Sequence, residues 1–134
     1  MRRLMVLGTA GMLTLFGGTP SNASGGGGAA DGLHLVPMEE IRVPVVEGSR
    51  ADGTLQLKLV LVAKDAAAAE GATADLPRLR AASIAAALEF ARLYASPMLP
   101  VDVKRLADDM TAAIHHQDDR IGRVLVVEVM ARRA

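Results

Sequence analysis

The sequence predicts a small α+β domain: two helices packed on one face of a three-stranded, antiparallel or mixed sheet, in the order β-β-α-α-β. Three observations carry this. Leucine recurs at every second position in Thr54-Leu-Gln-Leu-Lys-Leu-Val-Leu-Val-Ala63, the period of a strand with one buried face. Apolar residues fall at helical spacing through Leu76, Leu79, Ile84, Ala87, Leu88 and Ala91, and again through Val103, Leu106, Ala107, Met110, Ala113 and Ile114. The β-branched run Arg123-Val-Leu-Val-Val-Glu-Val-Met130 reads as a last strand. A hairpin covered by two helices, with that strand returning to the same sheet, buries all of these stripes in the simplest way.

Residues 1–23 read as a targeting segment. Arg2 and Arg3 precede an apolar run from Leu4 to Phe16, and Ser21-Asn22-Ala23 offers small residues to a signal peptidase. The run falls short of the roughly 20 apolar residues that span a bilayer core. Two outcomes stand: export with cleavage near Ala23, or retention of the run as a short anchor. Residues 24–32, made of Gly, Ala, Ser and one Asp, form a flexible linker with too little apolar surface to order itself. The folded domain is therefore placed at 33–134.

The first strand is expected within Leu33–Glu47, where Ile41, Val43 and Val45 alternate with Arg42 and Pro44. Proline cannot donate to a ladder, which makes this an edge strand or a bulged one. Gly48–Gly53 reads as a turn. The strand from Thr54 to Ala63 also carries Val60 and Val62 on its second face, so it is either covered on both sides at its end or paired near the middle of the sheet. An alanine-rich connection follows Lys64-Asp65. Thr73 or Asp75 then caps the first helix, Pro77 fits its first turn and Ser96-Pro97 ends it. The second helix starts around Pro100–Asp102, with Lys104, Arg105, Asp108 and Asp109 outside. Asp118-Asp119 and Gly122 make a turn, and Ala131–Ala134 is a short basic tail.

Composition narrows the function classes. The chain has 134 residues, with 15 basic and 15 acidic side chains; loss of residues 1–23 removes two arginines and no acid, leaving a slightly acidic domain. Such a balance attracts neither nucleic acid nor an anionic membrane. Cysteine is absent, which excludes a disulfide scaffold and thiolate zinc sites. Phe90 and Tyr94 are the only aromatic residues beyond the targeting segment, too few for stacking on bases.

Candidate chemistry is sparse, and no catalytic, cofactor-binding or metal-binding residue is assigned. His115 and His116 are neighbours, about 100° apart on a helix, and His115 with Asp119 lacks a third ligand. Near a helix C-terminus, imidazoles interact favourably with the dipole. The adjacent acids Glu39-Glu40, Asp108-Asp109 and Asp118-Asp119 diverge and are expected at solvated edges. Ser49, Ser83 and Ser96 lie in no nucleophile elbow, and His34 has no partner at a recognisable spacing. Gly25–Gly28 follows no strand and lacks the lysine of a phosphate loop. Arg78, Arg80 and Arg92 either contact an anion or partner, or lay their stems along a helix flank. The alanine-rich helix is expected in the core, with packing against another copy the alternative.

Four pieces, Leu35-Val-Pro-Met38, Asp52-Gly-Thr-Leu-Gln-Leu-Lys-Leu-Val-Leu61, Leu76-Pro-Arg-Leu-Arg-Ala-Ala82 and Ile121-Gly-Arg-Val-Leu-Val-Val-Glu-Val129, follow one another in an order and pattern that resemble the periplasmic domain of the flagellar basal-body-associated FliL family. The resemblance covers Leu35 to Met130. It implies a stomatin-like domain and a non-catalytic, periplasmic protein, anchored to the inner membrane only if its N-terminus is uncleaved. The implied partners are flagellar stator or basal-body proteins and further copies of itself, in support of motility, with no cofactor. Two features depart from the family pattern: a short signal-like run replaces its long membrane helix, and Pro97-Met-Leu-Pro-Val-Asp-Val-Lys104 replaces its Leu-x-x-x-x-Gly-Lys stretch. The rival reading is a periplasmic binding or chaperone-like module unrelated to motility; an enzyme comes third.

Overall fold

The computed structural model describes residues 32–134, so the expected targeting segment 1–23 and nearly all of the expected linker 24–32 lie outside the described residues. The domain is α+β. Its elements are β1 (His34–Pro37), β2 (Ile41–Glu47), β3 (Arg50–Ala63), α1 (Ala66–Ala74), α2 (Leu76–Tyr94), α3 (Val103–Gln117) and β4 (Ile121–Arg133). All strand pairings are antiparallel. β3 runs through the middle, with β1 and β2 in line along one side and β4 along the other. The three helices cover one face.

Central placement explains the composition of β3. Leu55, Leu57, Leu59 and Leu61 all point under the helices and are almost fully buried, each contributing roughly 1.5–3 kcal/mol relative to exposure. Val60 and Val62 are half-buried on the opposite face by pairing with neighbours on both sides. Of the two alternatives for this strand, pairing in the middle of the sheet is the one observed.

The single strand expected in Leu33–Glu47 is split in two. Ladder pairing leaves off after Pro37 and resumes at Ile41, with the Met38 amide still bonded to the Leu59 carbonyl at 3.1 Å. In the gap, the Arg80 guanidinium of α2 donates to the Glu39 and Glu40 carbonyls at 2.6 and 2.8 Å. A half-buried cation thus satisfies backbone groups that have left the ladder. Pro44 does sit on an edge, and the register also shifts between Val45 and Val46, so the strand is both peripheral and irregular. The turn is shorter than expected. Gly48-Ser49 suffices, with Gly48 at φ +62°, and Asp52-Gly53 belongs to β3.

The connection after Asp65 is a helix. Asp65 caps α1, accepting from the Ala68 amide at 2.7 Å, and Ala68 and Ala72 are buried. Alanine is the best helix former, but it builds no stripe of large apolar residues for the eye to follow. Thr73 caps nothing, since its hydroxyl donates back to the Ala69 carbonyl. Asp75 stands at the start of α2, yet its carboxylate pairs with Arg78 instead of a helix amide.

On α2 the buried residues are Leu79, Ser83, Ala87, Phe90 and Ala91; Leu88 of the expected stripe is exposed, and Leu76 and Ile84 are half-buried. The helix lies against β2 on one flank and α3 on the other, so its contact face is centred between Ala87 and Phe90 and leaves Leu88 outside. α3 buries Leu106, Met110 and Ile114 as expected, whereas Val103 is exposed at its first turn. β4 extends to Arg133, so most of the expected basic tail is strand.

Candidate functional site

Where large apolar side chains fail to enter the core, the fold offers a surface. Ten such residues are exposed among the described residues, and five of them, Leu93, Tyr94, Met98, Leu99 and Val103, cluster at the junction of α2 and α3. Met98 and Leu99, at 66% and 67%, are the most exposed of all. The local sequence forces this. Pro97 and Pro100 prevent helix continuation, the Ser96 hydroxyl takes the Met98 amide at 3.1 Å, and Asp102 caps α3 by accepting from the Arg105 amide at 3.1 Å. Arg105 reaches back across the loop, its guanidinium 3.7 Å from the Tyr94 ring centroid and donating to the Tyr94 hydroxyl at 2.6 Å. The Met-Leu tip is held on two helix ends that are tied together.

Two open grooves flank α2. One, of about 490 Å³, runs between β2 and the outer side of α2, past Pro44, Val46, Ala85 and Leu88, with Glu89 and Arg92 at its rim. The other, of about 320 Å³, lies beyond the Arg80 bridge, between Pro37-Met38 and Leu76-Pro77. Both are lined mainly by apolar side chains with one acid and one arginine each.

The titratable residues singled out in the sequence do not converge. Among the described residues, no group of three or more His, Asp or Glu side chains is placed to hold a metal ion. α3 ends at Gln117, so His115 and Asp119 share no helix face; His115 Nδ1 lies 3.0 Å from the Ile121 carbonyl, and His116 is exposed. Ser83 is buried, its hydroxyl donating to the Leu79 carbonyl, while Ser49 lies in the hairpin turn and Ser96 in the α2–α3 loop. His34 begins β1 opposite Ala63, which pairs on its other side with Ile121, so it shares an end of the sheet with the late pair but stands two strands away from the Ile121 carbonyl that His115 contacts.

The three arginines are all engaged within the chain. Arg78 donates to the Gln117 carbonyl at 3.0 Å, tying α2 to the last turn of α3, and pairs with Asp75. Arg80 bridges the edge break, and Arg92 pairs with Glu89 at 2.7 Å. Glu40 pairs with Arg42, and Asp108 with Lys104.

Asp118 departs from the expected solvated edge. It is buried, and its carboxylate takes the Arg120 guanidinium through two bonds of 3.0 Å and the Arg120 amide through a third. Hydrogen bonding from Arg120 holds its pKa below the usual carboxylate value, against the opposing effect of burial. The Arg120 guanidinium in turn lies against Gly71 of α1, where an added Cβ would come within 2.8 Å of it. This cluster joins α1 to the α3–β4 turn. Sequence spacing offers no signal for it, because the pair is two residues apart in an irregular turn. The exposed tip had a readable signal: apolar residues bracketed by two prolines cannot follow either helical stripe.

The sequence matches no protein-family model and no curated protein.

Proposed function

We propose that this chain is an exported, non-catalytic accessory protein of the FliL type, which supports the flagellar motor by contacting stator or basal-body proteins. The observation that carries the reading is the order of elements. An edge strand, a long leucine-faced strand, a helical cover and a returning final strand follow one another across the residues on which the resemblance rests. A stomatin-like arrangement belongs to the same proposal. The contact surface is the α2–α3 tip, where Met98 and Leu99 supply apolar anchors of the kind that dominate binding energy once desolvated.

Deleting the gene in its own flagellated host and scoring swimming tests the proposal. Loss or reduction of swimming is expected, restored by the parent gene and not by a Met98→Asp, Leu99→Asp variant that accumulates normally. Unchanged swimming would overturn the flagellar role. A periplasmic binding module unrelated to motility is the second reading, favoured by the open apolar groove between β2 and α2. Normal swimming combined with a growth defect under envelope stress would select it.

A further inference from the structure

Four of the seven methionines lie among the described residues, and the fold sorts them by access. Met38 and Met110 are buried in the core. Met130 is 36% exposed, and its sulfur accepts from Arg132 Nε at 2.8 Å. Met98, on the tip between α2 and α3, is 66% exposed. The loop also holds it outward. Pro97 lies so close to β3 that a Cβ added at Gly53 would come within 3.3 Å of the Pro97 Cβ, Ser96 Oγ takes the Met98 amide at 3.1 Å, and the Ser96 carbonyl takes the Leu99 amide at 3.5 Å. The chain has no cysteine to consume an oxidant first.

We infer that Met98 is a reversible oxidation site, at which hydrogen peroxide turns the apolar tip polar. A thioether lone pair attacks one peroxide oxygen; the S–O bond forms as the O–O bond breaks, sulfur loses two electrons, and the departing hydroxide takes the remaining proton and leaves as water. A dithiol, acting through a methionine sulfoxide reductase, returns the thioether and yields a disulfide and water. Because the bonds that hold the loop are made by its backbone and by Ser96, the sulfoxide changes the surface and leaves the fold in place. A partner seated on the tip would shield Met98, so the free chain is the form that oxidises. Losing the transfer free energy of one buried methionine then weakens such a contact at least about tenfold, a consequence that rests on the tip being the contact surface proposed above. The oxidation itself needs no partner.

The test treats the protein isolated from cells that express the full chain with hydrogen peroxide, and follows it by peptide mass spectrometry over time and by hydrophobic-interaction chromatography of the intact protein. Met98 is expected to gain one oxygen at least about tenfold faster than Met38 and Met110, and ahead of Met130, because peroxide must reach the sulfur. The oxidised protein should elute earlier with its far-ultraviolet circular dichroism unchanged, and return to its first position after the two sulfoxide reductases, one for each epimer, act with dithiothreitol. Met98→Leu keeps a similar apolar volume without sulfur, so it should start where the parent does and lose most of the shift. Should that variant fail to fold, the order of oxidation and the elution of the parent decide by themselves. No readout here involves a partner, so a failed swimming test and a failed oxidation test are told apart. Any of the other three methionines oxidising as fast as Met98, an elution unmoved by oxidation or not recovered by reduction, or an equal shift in Met98→Leu would each overturn the inference.

Discussion

Leu79→Ala and Leu88→Ala make a matched pair of perturbations in one helix. Both positions belong to the apolar stripe read from the sequence, and the change in helix propensity is the same small quantity for each. The structure separates them. Leu79 is fully buried, whereas Leu88 is 44% exposed beside the β2 groove. Truncating a buried leucine loses its transfer free energy and leaves a cavity, together about 2–5 kcal/mol. A surface truncation away from special features stays within about 0.5 kcal/mol. The expected gap is therefore about 2–4 kcal/mol, which for a domain of this size separates the thermal midpoints by at least about 10 °C. Urea and thermal unfolding followed by far-ultraviolet circular dichroism measure it directly. Equal losses for the two variants would refute the placement of α2, because no rotation of the helix consistent with a buried Ser83 and Ala87 hides both leucines.

Three further outcomes follow from particular contacts. Gly53→Ala places a Cβ against the Arg132 carbonyl and 3.3 Å from the Pro97 Cβ; the clash is expected to cost about 1–3 kcal/mol, more than the roughly 0.5–1 kcal/mol that alanine gains over glycine in a strand, and an unchanged urea midpoint would contradict that closeness. Asp118 has a folded pKa below its ordinary value of 3.8, so its contribution to stability is fully present above that value and is lost as pH falls through the folded one. Asp118→Asn keeps the acceptor for the Arg120 amide but not the charge, so its stability should fall less steeply in acid than the parent's; parallel curves would exclude the linkage. Arg80→Met removes two bonds to carbonyls at the β1–β2 break, and because water can reach these groups the cost is about 0.5–1.5 kcal/mol. Hydrogen exchange at Met38 and Ile41 should accelerate in that variant, and protection equal to the parent's would show that the bridge does not hold the edge.

Local periods are legible in the residues alone. Alternation at Leu55 to Leu61 marks a strand whatever surrounds it, because successive side chains of extended backbone point to opposite faces. Likewise Leu106, Met110 and Ile114 mark the buried side of α3, and Pro44 marks an edge. Three kinds of feature waited for the tertiary structure. A helix of small residues, α1, has weak local contrast and is defined by its Asp65 cap and by what it packs against. Burial around α2 depends on where β2 and α3 lie, which turns Ser83 inward and Leu88 outward in spite of their chemistry. Contacts between distant segments, such as Arg80 with the Glu39 and Glu40 carbonyls, Arg78 with the end of α3, and Arg120 against Gly71, join residues that no period links. The Met98-Leu99 tip falls between these cases: its two prolines were legible as a helix stop, but only the fold decides that a broken apolar run ends in solvent and not beneath a neighbour. Periodicity is a property of the backbone's own geometry, whereas burial is a property of what else arrives at the same place.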